Sequence, residues 1–159
     1  MKLRRAAQGE LPLVTALYRS VIGLPGCTWD ESYPDAEGTE AALLQGTLCL
    51  FFDGDEAIGS VTILSPCHFD DQPVWRVTGD RFCEISRVVI RRDRGGRGLA
   101  RVMLGELVTL LRGEGCRAVR LAVSRENAAA VATYRGMGFS FLGECRKHGV
   151  DFLLCELEL

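Results

Sequence analysis

The chain has 159 residues, 47% hydrophobic and 25% charged, which is the makeup of one globular domain spanning residues 1–159. A net charge of −2 gives no general attraction to nucleic acid or to an anionic membrane, and no apolar run approaches the ~18–20 residues that cross a bilayer. Seven cysteines without a C-x-x-C pair, with His68 and His148 as the two histidines, argue against a metal site; they predict reduced thiols in a cytoplasmic protein, as does the lack of an apolar core after the basic N-terminus.

Residues 2–6 read as a short strand. Residues 10–22 place Leu11, Val14, Leu17, Tyr18 and Val21 three and four apart, the spacing of an amphipathic helix. Glycine, proline and acidic residues then make residues 23–38 a loop, which contains Trp29-Asp30-Glu31-Ser32-Tyr33-Pro34. Residues 39–45 form a short helix stopped by Gly46. Two strands, 47–52 and 57–64, flank the turn signal Asp53-Gly54-Asp55 and predict an antiparallel hairpin. Residues 65–80 are a polar connection carrying Trp75, and residues 82–90 are an apolar, β-branched strand.

The pattern then becomes strand, glycine loop, helix. Gly95-Gly96-Arg97-Gly98 leads into a helix over residues 99–114, with Leu99, Val102, Met103, Leu107, Leu110 and Leu111 on one face. A strand at 118–123, a helix at 127–137 and strands at 139–145 and 151–157 complete the chain. The order predicts a mixed α/β (α+β) domain, with a central, partly parallel sheet of about seven strands and about four flanking helices. Parallel pairing is expected from residue 82 onward, and a last strand left at an edge is compatible with a homodimer.

A glycine loop that opens a helix can hold an anion, because the helix start leaves N–H groups unpaired and its dipole favours negative charge. Arg91, Arg92, Arg94, Arg97 and Arg101 surround this loop, and guanidinium groups suit phosphate oxygens. A tight connection with solvated arginines fits the same pattern. No Gly-Lys-Ser/Thr follows, and the G-x-G-x-x-G spacing is absent, so neither a Walker loop nor a dinucleotide fingerprint is present.

With these residues in place, the chain resembles the GCN5-related N-acetyltransferase (GNAT) superfamily. That family's loop reads Arg/Gln-x-x-Gly-x-Gly/Ala. Gly98-Leu99-Ala100 matches its end, while its first position falls on Gly95, so that Arg94 stands one residue early. A second motif, Asn127-x-x-Ala130-x-x-x-Tyr134-x-x-x-Gly138-Phe139, is similar to the family's later signature. The wording Trp29-x-x-x-Tyr33-Pro34 resembles a segment that covers the acceptor pocket in some members.

The resemblance implies transfer of an acetyl or other acyl group from acetyl-coenzyme A to a primary amine, small-molecule or peptide, with no metal. It implies cofactor contacts from Val88, Val89, Ile90, Arg94, Gly95, Gly96, Arg97, Gly98, Leu99, Ala100, Asn127 and Tyr134. Tyr134 is the expected acid toward the leaving sulfur, since a phenol stays protonated at neutral pH. Glu84 is the expected base: a carboxylate inside an apolar run has a raised pKa when buried. Trp29, Glu31 and Tyr33 are candidates on the acceptor side. A non-catalytic coenzyme A-binding module on the same fold is the alternative. A nucleic-acid binder is disfavoured by the charge balance and by the lack of aromatics among the arginines.

Overall fold

The computed structural model describes residues 1–64 and 67–159, so the first two residues of the polar connection lie outside the described residues. Seven strands form one sheet in the order β1-β2-β3-β4-β5-β7-β6. They are β1 (Lys2–Arg5), β2 (Leu48–Asp53), β3 (Glu56–Leu64), β4 (Phe82–Ile90), β5 (Ala118–Ser124), β6 (Ser140–Lys147) and β7 (Val150–Glu158). The helices are α1 (Leu11–Val21), α2 (Ala36–Leu44), α3 (Leu99–Gly113) and α4 (Ala128–Gly136).

The helices lie on opposite faces of the sheet. Met103, Leu104, Leu107 and Leu111 of α3 and Tyr134 of α4 pack with Val61, Ile63, Ile85, Val119 and Leu121. On the other face, Val14, Leu17 and Tyr18 of α1 and Ala42 of α2 pack with Leu48, Leu50 and Val89. Strand alternation sends neighbouring residues to opposite clusters. Gly59 is required where β3 is most crowded: a Cβ there would lie 2.8 Å from Val89 O and 3.1 Å from Met103 Sδ.

Four expectations need correction. Helix α2 begins three residues before the predicted start, because Asp35 caps it by accepting the Gly38 N–H at 2.6 Å. Parallel pairing holds for β4 with β5, but β7 inserts antiparallel between β5 and β6. The last strand is therefore paired on both sides and offers no free edge to a partner's sheet; β1 and β6 are the edges. Finally, Cys83 and Cys116 form a disulfide with Cα atoms 6.6 Å apart, so these two thiols are not free. The parallel ladder opens at Phe82↔Ala118 and brings the two cysteines together at its start.

Candidate active site

The central feature is a parting of two strands. Strand β4 pairs with β5 through Phe82↔Ala118, Cys83↔Val119 and Glu84↔Arg120, and no further. From Ile85 onward the edge of β4 that faces away from β3 pairs with no strand among the described residues. A strand with one neighbour points half of its peptide groups outward, so N–H donors line the resulting gap.

A bulge lies on the same stretch of β4. Thr62 pairs with Ser86 and Ser60 with Val89, so Val61 alone faces both Arg87 and Val88. Arg87 takes a left-handed φ of 51° there. The extra residue brings the Arg87 side chain to the face that carries Ser86, where its guanidinium stands 5.5 Å from the Tyr33 ring. Val88 then packs on the α3 side and Val89 on the α1 side.

At the end of β4 a short 3-10 turn (Arg92–Arg94) leads to residues 95–98 and the start of α3. Gly96 and Gly98 both have φ 72°, a conformation that suits glycine, and nothing lies within 4 Å of where their Cβ atoms would be. Gly95 has φ −62°, which any residue adopts, and its N–H donates to Arg92 O at 3.2 Å. Among the described residues, the N–H groups of residues 96–100 find no protein acceptor, so five consecutive donors are left unpaired at a helix start. This is a cradle into which an anion's oxygen atoms can fit. The arginines divide into two groups. Arg91 and Arg94 reach Glu56 at 2.7 and 2.5 Å and so hold the β2–β3 hairpin, with Arg91 also paired to Asp93. Arg92, Arg97 and Arg101 have no carboxylate partner among the described residues.

Helix α4 approaches the gap from the α3 side. Asn127 is its N-cap and not its first helical residue: Oδ1 accepts the Ala130 N–H at 3.1 Å. Its Cα would lie 2.6 Å from a Cβ on Gly26, so the α1–α2 loop rests on the start of α4. Tyr134 is 6% exposed and packs edge-on to Phe139 with centroids 5.4 Å apart. Its hydroxyl has no hydrogen-bond partner among the described residues, and burial holds its pKa above the usual phenol value.

The opposite face of the gap is polar. Glu84 is 2% exposed, and burial raises its carboxyl above the ordinary carboxylate range. It neither faces solvent nor pairs with Arg87. Its oxygens accept the backbone N–H groups of His68 and Phe69, both at 3.2 Å. Arg120 and Glu156 continue this row across β5 and β7 as an ion pair at 3.1 Å. Glu156 also accepts N–H groups from Arg76 and Val77, and Arg120 donates to Asp70 and to Val77 O. These three buried charges hold residues 68–77 over the sheet. Trp29 packs edge-on between Tyr18 and Tyr33, at 5.3 and 6.5 Å, while Glu31 is exposed on the loop surface.

Sequence reasoning passed over Arg87, Arg120 and Glu156. The signal for the last two was available: each is a charge in the middle of an apolar strand, Ala-Val-Arg120-Leu-Ala and Leu-Cys-Glu156-Leu. Cys83 is bonded to Cys116 and so offers no free thiol as a nucleophile.

The sheet thus opens beside a helix start with unpaired N–H groups, with a half-free strand edge between the two. The comparisons specify the class. The Acetyltransferase (GNAT) family model matches residues 15–139, so the chain belongs to that family and is an acetyl-coenzyme A-dependent N-acetyltransferase. It is 28% identical over 155 residues to an L-methionine sulfoximine/L-methionine sulfone acetyltransferase of Pseudomonas aeruginosa, covering 94% of this chain and 86% of that protein. Its fold is similar to that of a GNAT-family acetyltransferase from Streptococcus agalactiae, with a TM-score of 0.82, 18% identity and coverage of 99% and 95%. It is also similar to the PaiA N-acetyltransferase of Thermoplasma acidophilum, solved in complex with coenzyme A, with a TM-score of 0.71, 15% identity and coverage of 99% and 98%. Among the described residues no helix is long and apolar enough to cross a membrane, and no cluster of metal-ligating side chains is present.

Proposed function

We propose that this chain, as a single domain over residues 1–159, acetylates the primary amine of a small molecule, of the kind on which the Pseudomonas relative acts. The observation that carries this reading is the parting of β4 from β5 after Glu84, directly beside the five unpaired N–H groups of residues 96–100. Acetyl-coenzyme A supplies an activated acyl group as a thioester. The backbone donors of residues 96–100 suit its pyrophosphate, with Arg97 and Arg101 free to add charge. Arg94 is committed to Glu56, so the displaced glycine motif works through its backbone and not through an arginine side chain. Along the unpaired edge of β4 the outward N–H groups of Val88 and Ile90 are the donors that polarise the thioester carbonyl, while the N–H of Val89 between them turns toward β3.

The amine nitrogen bonds to the acyl carbon as the carbon–sulfur bond breaks. The amine gives up a proton and the departing thiolate takes one. Tyr134 is the donor to sulfur: its hydroxyl keeps its proton at neutral pH and is tied to no protein acceptor. Glu84 is the acceptor of the amine proton, directly or through water, with its raised pKa as support. Its bonds to His68 and Phe69 give it a second task, holding the loop over the acceptor. Asn127 contributes by fixing the start of the helix that bears Tyr134. Trp29 and Tyr33 wall the acceptor side, and Glu31 lies at its rim. An acetyl-coenzyme A co-substrate favours a cytoplasmic setting; the Cys83–Cys116 bond is the feature that argues the other way.

Calorimetric titration with acetyl-coenzyme A, dephospho-coenzyme A and ATP tests the reading, followed by an amine panel scored by released thiol. Selective binding of acetyl-coenzyme A with transfer to a small amine is expected. Binding without transfer to any amine would leave a coenzyme A-binding module in place of the proposed reaction.

A further inference from the structure

Arg87 is a charge that the fold leaves without a carboxylate at ion-pairing distance among the described residues. Among the described residues Arg4, Arg5, Arg91, Arg94, Arg120, Arg125 and Arg146 pair with carboxylates, while Arg87 pairs with none. It is half-buried, and its Nε is fully buried without a hydrogen-bond partner. Withdrawing a guanidinium from water without a partner is unfavourable. The backbone adds a second unfavourable term, since φ 51° is the left-handed region that non-glycine residues avoid. Two such terms at one residue beside a reactive gap point to a role outside folding.

The surroundings define what Arg87 can receive. Tyr33 lies 5.5 Å from the guanidinium, as one wall. Ser60 and Ser86 on the same face have buried hydroxyls with no partner, and Tyr18 Oη lies 3.5 Å from Thr62 Oγ1. Two acids are nearby. Glu84 is held by His68 and Phe69. Asp35 caps α2 through Gly38; its Oδ1 and Arg87 Nη2 come within 3.1 and 3.2 Å of the position a Gly38 Cβ would take, yet they do not reach ion-pairing distance. Arg87 also directly precedes Val88, Val89 and Ile90, the stretch of β4 that runs beside the gap.

We infer that Arg87 binds the carboxylate of the acceptor, so that the substrate class is an α-amino acid or a close relative, with its acid only a few bonds from the reacting amine. This inference rests on the acetyltransferase reading above and narrows it. A carboxylate accepts two parallel N–H bonds from a guanidinium, which orients the molecule as well as holding it. The amine then lies toward the strand edge and Glu84. Peptide N-termini and protein lysines, which have no carboxylate at that separation, are excluded.

The test compares L-methionine sulfone with its methyl ester, and each common L-amino acid with its amide, as acceptors for the wild type, Arg87→Met, Arg87→Lys and Asp35→Asn. The wild type is expected to prefer free acids by about tenfold or more in kcat/KM. In Arg87→Met the acid-to-ester ratio should collapse toward one, mainly through KM, and Arg87→Lys should recover part of it. Acetyl-coenzyme A titration of each variant reports whether the fold and cofactor site survive. Equal losses for acid and ester in Arg87→Met would overturn the assignment, as would wild-type transfer only to amines that lack a carboxylate. Loss of the preference in Asp35→Asn to the same degree would show that Arg87 serves Asp35, and would overturn it too. Failure of the underlying reading looks different: no binding of acetyl-coenzyme A and no transfer to any amine.

Discussion

The two faces of β3 and β4 share one backbone and have opposite chemistry. Toward α3 and α4 they present Val61, Ile63, Ile85 and Val88, closed over by Met103, Leu104, Leu107 and Leu111. Toward α1 and the loops they present Ser60, Thr62, Glu84, Ser86 and, through the bulge, Arg87. The apolar face holds the fold together by burial. The polar face holds hydroxyls and charges that a purely structural sheet would replace with valine. The parting between β4 and β5 joins the two, and in the proposed reaction the acyl carrier and Tyr134 approach from one side and the amine from the other. Stability and chemistry are thus assigned to opposite sides of the same strands.

The largest expected effect is at the junction. Tyr134→Phe keeps the ring on Phe139 and removes the hydroxyl, so kcat should fall by about 10²-fold or more while acetyl-coenzyme A affinity stays nearly constant. Steady-state rates with titration of the cofactor check this, and an unchanged kcat removes Tyr134 from the acid role. Glu84 supplies a pH signature. Burial raises its pKa and a base must be ionised, so kcat/KM should fall as pH drops through a value above the ordinary carboxylate range. Glu84→Gln should lose that limb along with most of the rate; a limb that persists assigns the base elsewhere.

On the apolar face, Leu107→Ala should lower stability by about 2–5 kcal/mol in denaturant unfolding, since the residue is 1% exposed in a packed cluster. Gly98→Ala places a side chain at φ 72° and should cost about 1–2 kcal/mol and weaken the cofactor, whereas Gly95→Ala, at φ −62°, should stay within about 1 kcal/mol and keep it. The smallest effect has the opposite sign. Ser60→Ala removes a buried hydroxyl with no partner and should leave stability unchanged or raise it by about 1 kcal/mol. A loss as large as that of Leu107→Ala would show that both faces serve packing, and the contrast between them would fail.

Much of this architecture is legible in the amino-acid sequence. Apolar spacing locates α1 and α3 within a residue or two, because each buries one strongly periodic face, and a continuous apolar, β-branched run locates β4 to the residue. The start of α2 escapes that reading because its signal is a capping contact from Asp35 and not a hydrophobic repeat. The glycine loop is visible as composition. That Gly96 and Gly98 need glycine while Gly95 does not is a matter of backbone angle.

The sequence by itself determined the class of fold, the element order, the glycine-rich helix start, and the Asn127-to-Phe139 motif that resembles the family's signature, because local spacing and turn chemistry carry that information. The tertiary structure alone decided where β7 inserts, which cysteines bond, and which arginines are already matched by carboxylates. It also decided that β4 leaves β5 after three pairs and turns Arg87 inward at a bulge. These depend on which distant strand becomes a neighbour, and a side chain's partner is a property of that neighbour as much as of the residue itself.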